Sequence, residues 1–401
     1  MTRPLRIAMV AGEASGDLLG ANLIAALKER LPNAHFMGIG GPKMLAQGLD
    51  SWWPQEKLAV MGLVEVLKHI KELSGIRKGL VKRLLTDPPD VFIGIDAPDF
   101  NLGLEKQLKA KGVPTVHYVS PSIWAWRPGR IKGIAKAVSH ILCLLPFEPA
   151  LYDAKGIANT YVGHPLADLI PLHVSQSEAR FKLDLPPNAP IFALLPGSRT
   201  TELNFLADTF IATAKLIAEK LPGAIFLVPL ATRETRLQFE TALYHAGAQE
   251  LAFRLLFGHA QDAMAAADTV LVASGTASLE CALMKRPMVI TYKVARLSAF
   301  LWRRMSISPW VGLPNILAHR EVVPELLQEK ATPENLAEAL LTLQQDKDVR
   351  AAMVEEFERQ HLLLRQNAAE RAAGAVLKTL GIVPPPLAAA ALATESASHG
   401  G

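Results

Sequence analysis

Glu13 and Ser15 lie between Gly12 and Gly16, directly behind an apolar run at residues 5–10, so a carboxylate and a hydroxyl share one glycine-flexed strand-to-helix turn. Glycine lets such a turn bend and lets a ligand come close to the backbone. In an open α/β sheet, the crevice past the carboxyl end of a central strand is the usual place for that ligand. No Gly-x-Gly-x-x-Gly can be read across residues 10–20, so the turn is not a dinucleotide fingerprint. Asp96 closes a second apolar run, 91–95, and is expected in the same crevice. A carboxylate there can take the proton of an attacking hydroxyl when burial lifts its pKa. Asp96 is therefore the candidate general base, with Glu13 as the alternative, and Asp99 reads as the cap of a helix opening at Pro98.

Gly197, Ser198 and Arg199 follow the apolar run 191–195 and precede a helix expected to start near Glu202. Backbone N–H groups, a hydroxyl and a guanidinium fork at a helix start suit an anion. Ser274, Gly275 and Thr276 repeat the arrangement behind the run 269–273, and two such cradles suggest a diphosphate. Glu280, four residues into the second helix, is placed to accept from ribose hydroxyls. Taken singly, each turn also fits an ordinary capped helix start. Trp124, Trp126 and Arg127 suit a phosphate, an acyl chain or plain packing, and His164 in Gly-His-Pro reads as a turn and hinge.

The elements that would position these groups alternate as short apolar strands and helices. Strands are expected at 5–10, 35–39, 91–95, 115–119 and 140–145, then at 191–195, 224–229, 255–258, 269–273 and 288–292. That pattern predicts an α/β fold of two Rossmann-like doubly wound domains facing across a cleft, with C-terminal helices. The expected boundaries are 1–170, 171–382 and a disordered Pro-, Ala- and Ser-rich tail, 383–401. The helical stretch 333–380 could return to the first domain or exchange between subunits, which leaves a homodimer open.

Among the residues, 42 basic against 38 acidic with no aromatic-interleaved basic stripe argues against a nucleic-acid partner. Cys143 and Cys281 both fall in apolar segments, which points to buried thiols in a reducing, cytoplasmic compartment. Neither a signal peptide nor a spanning run of apolar residues is read. No metal-ligand spacing is present, and neither metal nor cofactor is expected.

Residues 58–86 are amphipathic and basic. Val60, Leu63, Leu67, Ile70, Leu80 and Leu84 fall near helical spacing, with Val60, Leu63, Val64, Leu67 and Ile70 the expected lipid or acyl contacts, while Lys68, Lys71, Arg77, Lys78, Lys82 and Arg83 face only Glu65 and Glu72. The segment reads as two helices broken at Ser74-Gly75 and lying on an anionic lipid surface, against the plainer reading of a core-packed helix with a solvated face.

The joint occurrence of 11–17, 94–100, the Ser-Pro-Ser-Ile-Trp-Ala-Trp-Arg run at 120–127, 195–199, 273–280 and Leu-Pro-Asn-Ile-Leu at 313–317 closely resembles the lipid-A-disaccharide synthase family, over about residues 5–380. The resemblance implies a metal-independent, two-domain transferase fold of the GT-B type. It also implies transfer from UDP-2,3-diacylglucosamine to the 6-hydroxyl of 2,3-diacylglucosamine 1-phosphate (lipid X), with inversion, at the cytoplasmic face of the inner membrane. Asp96 would then be the base, with Glu13, Ser15 and Asn315 orienting the sugars and Glu280 holding the ribose. Arg199, Gly275 and Thr276 would stabilise the leaving diphosphate. Ala14 and Thr200 stand where the family more often has Thr and Gly. The alternatives are a UDP-N-acetylglucosamine epimerase, a non-lipid transferase on the same scaffold, or a non-catalytic nucleotide-sugar-binding module.

Overall fold

The computed structural model describes residues 3–58 and 63–383. It divides into two compact units: one of residues 1–123, 128–165 and 366–401, the other of 124–127 and 166–365. The chain thus passes to the second unit after Pro165 and returns at Gln366, where the sequence suggested one crossing near 170.

The first unit is built on seven parallel strands: β1 (Arg6–Ala11), β2 (His35–Ile39), β3 (Asp50–Ser51), β4 (Val91–Ile95), β5 (Thr115–Tyr118), β6 (His140–Cys143) and β7 (Asn159–Tyr161). Their order, β3-β2-β1-β4-β5-β6-β7, reverses between β1 and β4. Those two strands are almost wholly buried, as strands covered on both faces must be, and read as unbroken apolar runs. β3 and β7, only two and three residues long, sit at the edges and were not foreseen.

The second unit has six parallel strands: β8 (Ile191–Leu195), β9 (Ile225–Leu230), β10 (Phe253–Phe257), β11 (Thr269–Ala273), β12 (Met288–Tyr292) and β13 (Glu325–Leu327). Their order is β10-β9-β8-β11-β12-β13, with the reversal between β8 and β11. β13 is a further short edge strand that sequence reasoning missed.

One expectation about helices is corrected, and the C-terminal helix, whose position was left open, is placed. Leu63–Thr86 is one continuous helix, unbroken at Ser74-Gly75. Nothing lies within 4 Å of a Cβ placed on Gly75, so its backbone faces open space. A helical glycine costs about 1 kcal/mol, and Ile76, Leu80 and Leu84 outweigh it by packing with Leu58, Phe92, Leu104 and Leu108. Leu80 and Leu84, expected on the lipid-facing side, thus belong to the core. Val60 lies outside the described residues, and of Leu63, Val64, Leu67 and Ile70 only the backbone is described. The C-terminal helix Ala368–Thr379 packs on the first helix, Ala14–Arg30, through an Arg30–Glu370 ion pair among other contacts, so it belongs to the first unit. The expected tail beyond residue 383 lies outside the described residues.

Cys143 and Cys281 are free and buried, and burial pushes both thiols up, which makes them poor nucleophiles. Among the described residues, no helix is long and apolar enough to cross a membrane.

The core under the β4 terminus is tightly fitted around Gly94. A Cβ there would stand 2.1 Å from Glu105 Oε1 and 2.9 Å from Asn101 Cβ. Gly94→Ala is expected to lower the unfolding free energy by about 1–3 kcal/mol in a urea titration. An unchanged midpoint would mean that the cluster yields freely.

Candidate functional site

In the first unit the chemistry gathers where β1 and β4 end side by side. Ala11 pairs with Ile95, and a Cβ on Gly12 would stand 3.2 Å from Ala97 Cβ, so the two following turns touch. Glu13 is the N-cap of the Ala14–Arg30 helix in extended conformation and is half-buried. Gln55 Nε2 fixes its backbone by donating to the carbonyls of Glu13, at 2.8 Å, and Ala11, at 3.3 Å. Ser15 is exposed on the first helical turn. Asp17 is buried and structural: its carboxylate accepts from the amides of Gly41, Lys43 and Met44, each at 2.9 Å.

Asp96 is half-buried on the β4 turn. It and Ala97 both adopt left-handed backbone, at φ 52° and 43°. For residues other than glycine such conformations cost about 1–3 kcal/mol each and persist only where the surroundings enforce them. The Asp96 amide donates to the Tyr118 carbonyl at 2.8 Å. Asn101, fully buried, donates from Nδ2 to the carbonyls of Asp96 at 2.8 Å and of Ile95 and Val10 at 3.3 Å each. Sequence reasoning gave Asn101 no role.

Beneath Asn101, Glu105 and His117 are fully buried and bonded to each other at 2.8 Å. Burial raises the Glu105 pKa, against the pull of His117. Asp99 does not cap the helix Pro98–Lys109: the N-cap is Ala97, and the exposed Asp99 pairs with Arg130 at 2.7 Å.

In the second unit the turns after β8 and β11 line a hollow of about 350 Å³ that brings together Gly197, Ser198, Arg199, Ser274, Gly275 and Thr276. They stand at the reversal of strand order, the position predicted for a ligand crevice. The first turn differs from expectation in one respect. Glu202 Oε2 accepts from the Ser198 amide at 2.9 Å and the Arg199 amide at 3.3 Å, so these N–H groups already have an anion of their own. What the turn offers a ligand is the Ser198 hydroxyl and the half-exposed Arg199 guanidinium, which lies 3.5 Å from Glu202 Oε1. Gly197 has φ 118°, and a Cβ there would meet Glu202 Oε2 at 2.3 Å, so glycine is required.

The second turn keeps its amides. Gly275, at φ 144°, is the N-cap of the helix Thr276–Leu283. The first amides of a helix have no intrahelical acceptor and attract anions, and here those of Thr276 and Ala277 border the hollow. Glu280 sits one turn deeper. Burial raises its pKa, opposed by a hydrogen bond with Gln261.

Asn315 is a correction. It is fully buried and committed on every side: Oδ1 accepts from the amides of Val322 and Val323, and Nδ2 donates to the Val323 carbonyl and to Glu325 Oε1. Its amide secures the segment before β13 and is not presented to a sugar. Glu325, whose pKa burial raises, also accepts from the amides of Val311 and Gly312. The Val311 carbonyl in turn receives the Ser274 hydroxyl at 3.5 Å, so this network reaches the turn that lines the hollow.

The family description Lipid-A-disaccharide synthetase matches residues 7–378. The chain belongs to that family. A lipid-A-disaccharide synthase of Dechloromonas aromatica is 65% identical over 381 residues, covering 95% of this chain and all of that protein. One from Aromatoleum aromaticum is 59% identical over 379 residues, covering 94% and 97%. Among solved structures, Staphylococcus aureus MnaA with UDP has a TM-score of 0.66 at 10% identity, covering 94% of this chain and 98% of that one. The UDP-GlcNAc 2-epimerase of Neisseria meningitidis bound to UDP-GlcNAc gives 0.63 at 12%, covering 93% and 100%. Such low identities establish the fold alone, which epimerases and GT-B transferases share. The family match decides between them: the protein is a hexosyltransferase of lipid A biosynthesis.

Asn315→Ala would orphan the amides of Val322 and Val323 and strip Glu325 of a donor. It is expected to cost about 2 kcal/mol or more in stability by thermal or urea unfolding. Full stability with lost nucleotide affinity would return Asn315 to the ligand.

Proposed function

We propose that the protein joins two acylated glucosamines. The 6-hydroxyl of 2,3-diacylglucosamine 1-phosphate attacks the anomeric carbon of UDP-2,3-diacylglucosamine, giving the β-1,6 disaccharide 1-phosphate and UDP. As the new C–O bond forms, the hydroxyl proton passes to Asp96. The bond from the anomeric carbon to the diphosphate breaks with its electron pair staying on oxygen, where Arg199 and the Thr276 and Ala277 amides meet the charge. Glu13 and Ser15 orient sugar hydroxyls, and Glu280 accepts from the ribose. Binding donors aimed at the leaving group raise the rate because they act most strongly as charge develops.

The observation that carries this reading is the strained turn at Asp96 and Ala97, clamped by Asn101. Strain enforced by neighbouring structure is a mark of functional sites. Asp96→Ala is expected to lower turnover on the order of a hundredfold or more while leaving UDP affinity within about threefold. Steady-state assay by mass spectrometry of disaccharide, with calorimetric UDP titration, checks both; unchanged turnover would transfer the role to Glu13.

The protein is further proposed to work as a peripheral protein on the cytoplasmic face of the inner membrane, with the Leu63–Thr86 helix toward the lipid. Support comes from its cationic surroundings. A hollow of about 820 Å³ in the first unit is lined by Arg77, Lys106, Lys109 and Lys136, a charge pattern suited to anionic headgroups. Leu63→Ser with Leu67→Ser is expected to reduce liposome flotation severalfold, and equal flotation would remove this helix as the contact.

A further inference from the structure

The helix Arg296–Met305 exposes what a surface helix ordinarily buries. Phe300 is 61% exposed, Met305 41% and Trp302 38%, while the small Ala299 turns inward. Ile307, just beyond the helix, is 57% exposed. An antiparallel bridge joins Ser306 to Trp126, and the Ile307 amide donates to the Ala125 carbonyl at 2.9 Å, so the exposed Trp126 is carried to the same end of the helix. Single exposed apolar side chains are ordinary, but five on one short helix and the segment bridged to its end, two of them tryptophans, mark an interaction surface.

Charge selects the occupant. Residues 293–320 carry five Lys and Arg residues and no Asp or Glu; Arg320 is paired with Glu356 and Lys293 bonds Thr209, which leaves Arg296, Arg303 and Arg304 on the helix itself. Arg303 is paired with Glu329, an exposed and therefore weak pair that an anionic headgroup can displace. Arg127 adds a guanidinium 4.3 Å from the centroid of the Trp126 ring. Exposed Trp, Phe and Met side chains on a short helix that also carries arginines are the make-up of a helix lying in a lipid interface. A second copy of the chain fits less well, because a two-fold contact would set the same arginines against each other.

We propose that this face of the second unit is a lipid-contact element of its own, resting on an anionic phospholipid surface through Trp126, Phe300, Trp302, Met305 and Ile307. The proposal rests on the reading that the substrates are acylated and drawn from a membrane. It adds a consequence that the Leu63–Thr86 helix does not supply. The exposed helix leads directly into the segment at 308–312, whose Val311 carbonyl receives the Ser274 hydroxyl beside the anion hollow. The diphosphate cradle is thereby tied, within one unit, to the element that would touch headgroups.

The test compares wild type, Phe300→Ser with Met305→Ser, and Leu63→Ser with Leu67→Ser, on unilamellar vesicles holding about 30 mol% phosphatidylglycerol. The 300/305 variant is expected to lose at least about tenfold in vesicle partition. Its thermal unfolding should match wild type, and its turnover on detergent-dispersed substrates should stay within about twofold. Brominated lipid should quench wild-type tryptophan emission, and Trp302→Phe should remove a distinct share of that quenching. Partition equal to wild type in the 300/305 variant overturns the proposal, whatever the 63/67 variant does. Retained partition with a dimer-to-monomer shift in sedimentation would assign the face to a second copy and overturn it equally. Loss in the 300/305 variant alone would sustain the proposal and remove the Leu63–Thr86 contact.

Discussion

A parallel sheet whose strand order reverses leaves a problem at the reversal: the two neighbouring central strands send their loops to opposite faces, and the backbone groups at those strand ends fall outside any ladder. Buried peptide groups must find partners or destabilise the fold. In both units polar side chains supply them. Asn101 donates to three carbonyls at the ends of β1 and β4, and Glu202 accepts two amides of the turn after β8. Asp17 does the same for the loop after β2, and the Asn315–Glu325 pair for the segments flanking Leu313–Ala318. The groups proposed to face the ligand are therefore held by an inner layer of amides and carboxylates whose bonds go to the backbone.

That inner layer lets the turns hold conformations they would otherwise leave. Asp96 and Ala97 together carry strain of about 2–6 kcal/mol by general estimates, comparable with the whole stability of a modest domain. The Asn101 clamp, the Asp96 amide bond to Tyr118 and the close fit around Gly94 all oppose relaxation at one place. The buried Glu105–His117 pair below ties the Pro98–Lys109 helix to β5, so the helix that starts at the strained turn cannot slide away from the sheet.

How much of this the sequence displays follows from the range of each interaction. The central strands are legible because burial on both faces writes them as continuous apolar runs, whereas β3, β7 and β13 are too short and too exposed to leave a pattern. The Ser74-Gly75 break was misread because glycine signals a turn locally, and only tertiary packing of Ile76 and Leu80 shows that the helix continues. At the site, Gly-Ser turns behind apolar runs announce themselves. Their partners do not: nothing in the sequence marks Glu202 as the acceptor for Ser198, and Asn315 looks like a ligand residue because polarity in sequence does not distinguish a buried bracket from an exposed contact.

A carboxylate set into a turn proposed to bind an anion looks self-defeating, since Glu202 should repel the phosphate that Arg199 would attract. The geometry resolves it. Glu202 accepts the Ser198 and Arg199 amides and lies 3.5 Å from both the Arg199 guanidinium and the Tyr292 hydroxyl, so its charge is largely met by fixed donors. The two turns of the hollow thus act differently. The one after β8 uses its amides to hold Glu202 beside the Arg199 guanidinium, and the one after β11 leaves the first amides of a helix without intrahelical acceptors. In the proposed reaction, a guanidinium held beside Glu202 and a helix dipole would need little reorganisation as a diphosphate gathers charge on departure, and donors already in place are a main source of electrostatic rate enhancement.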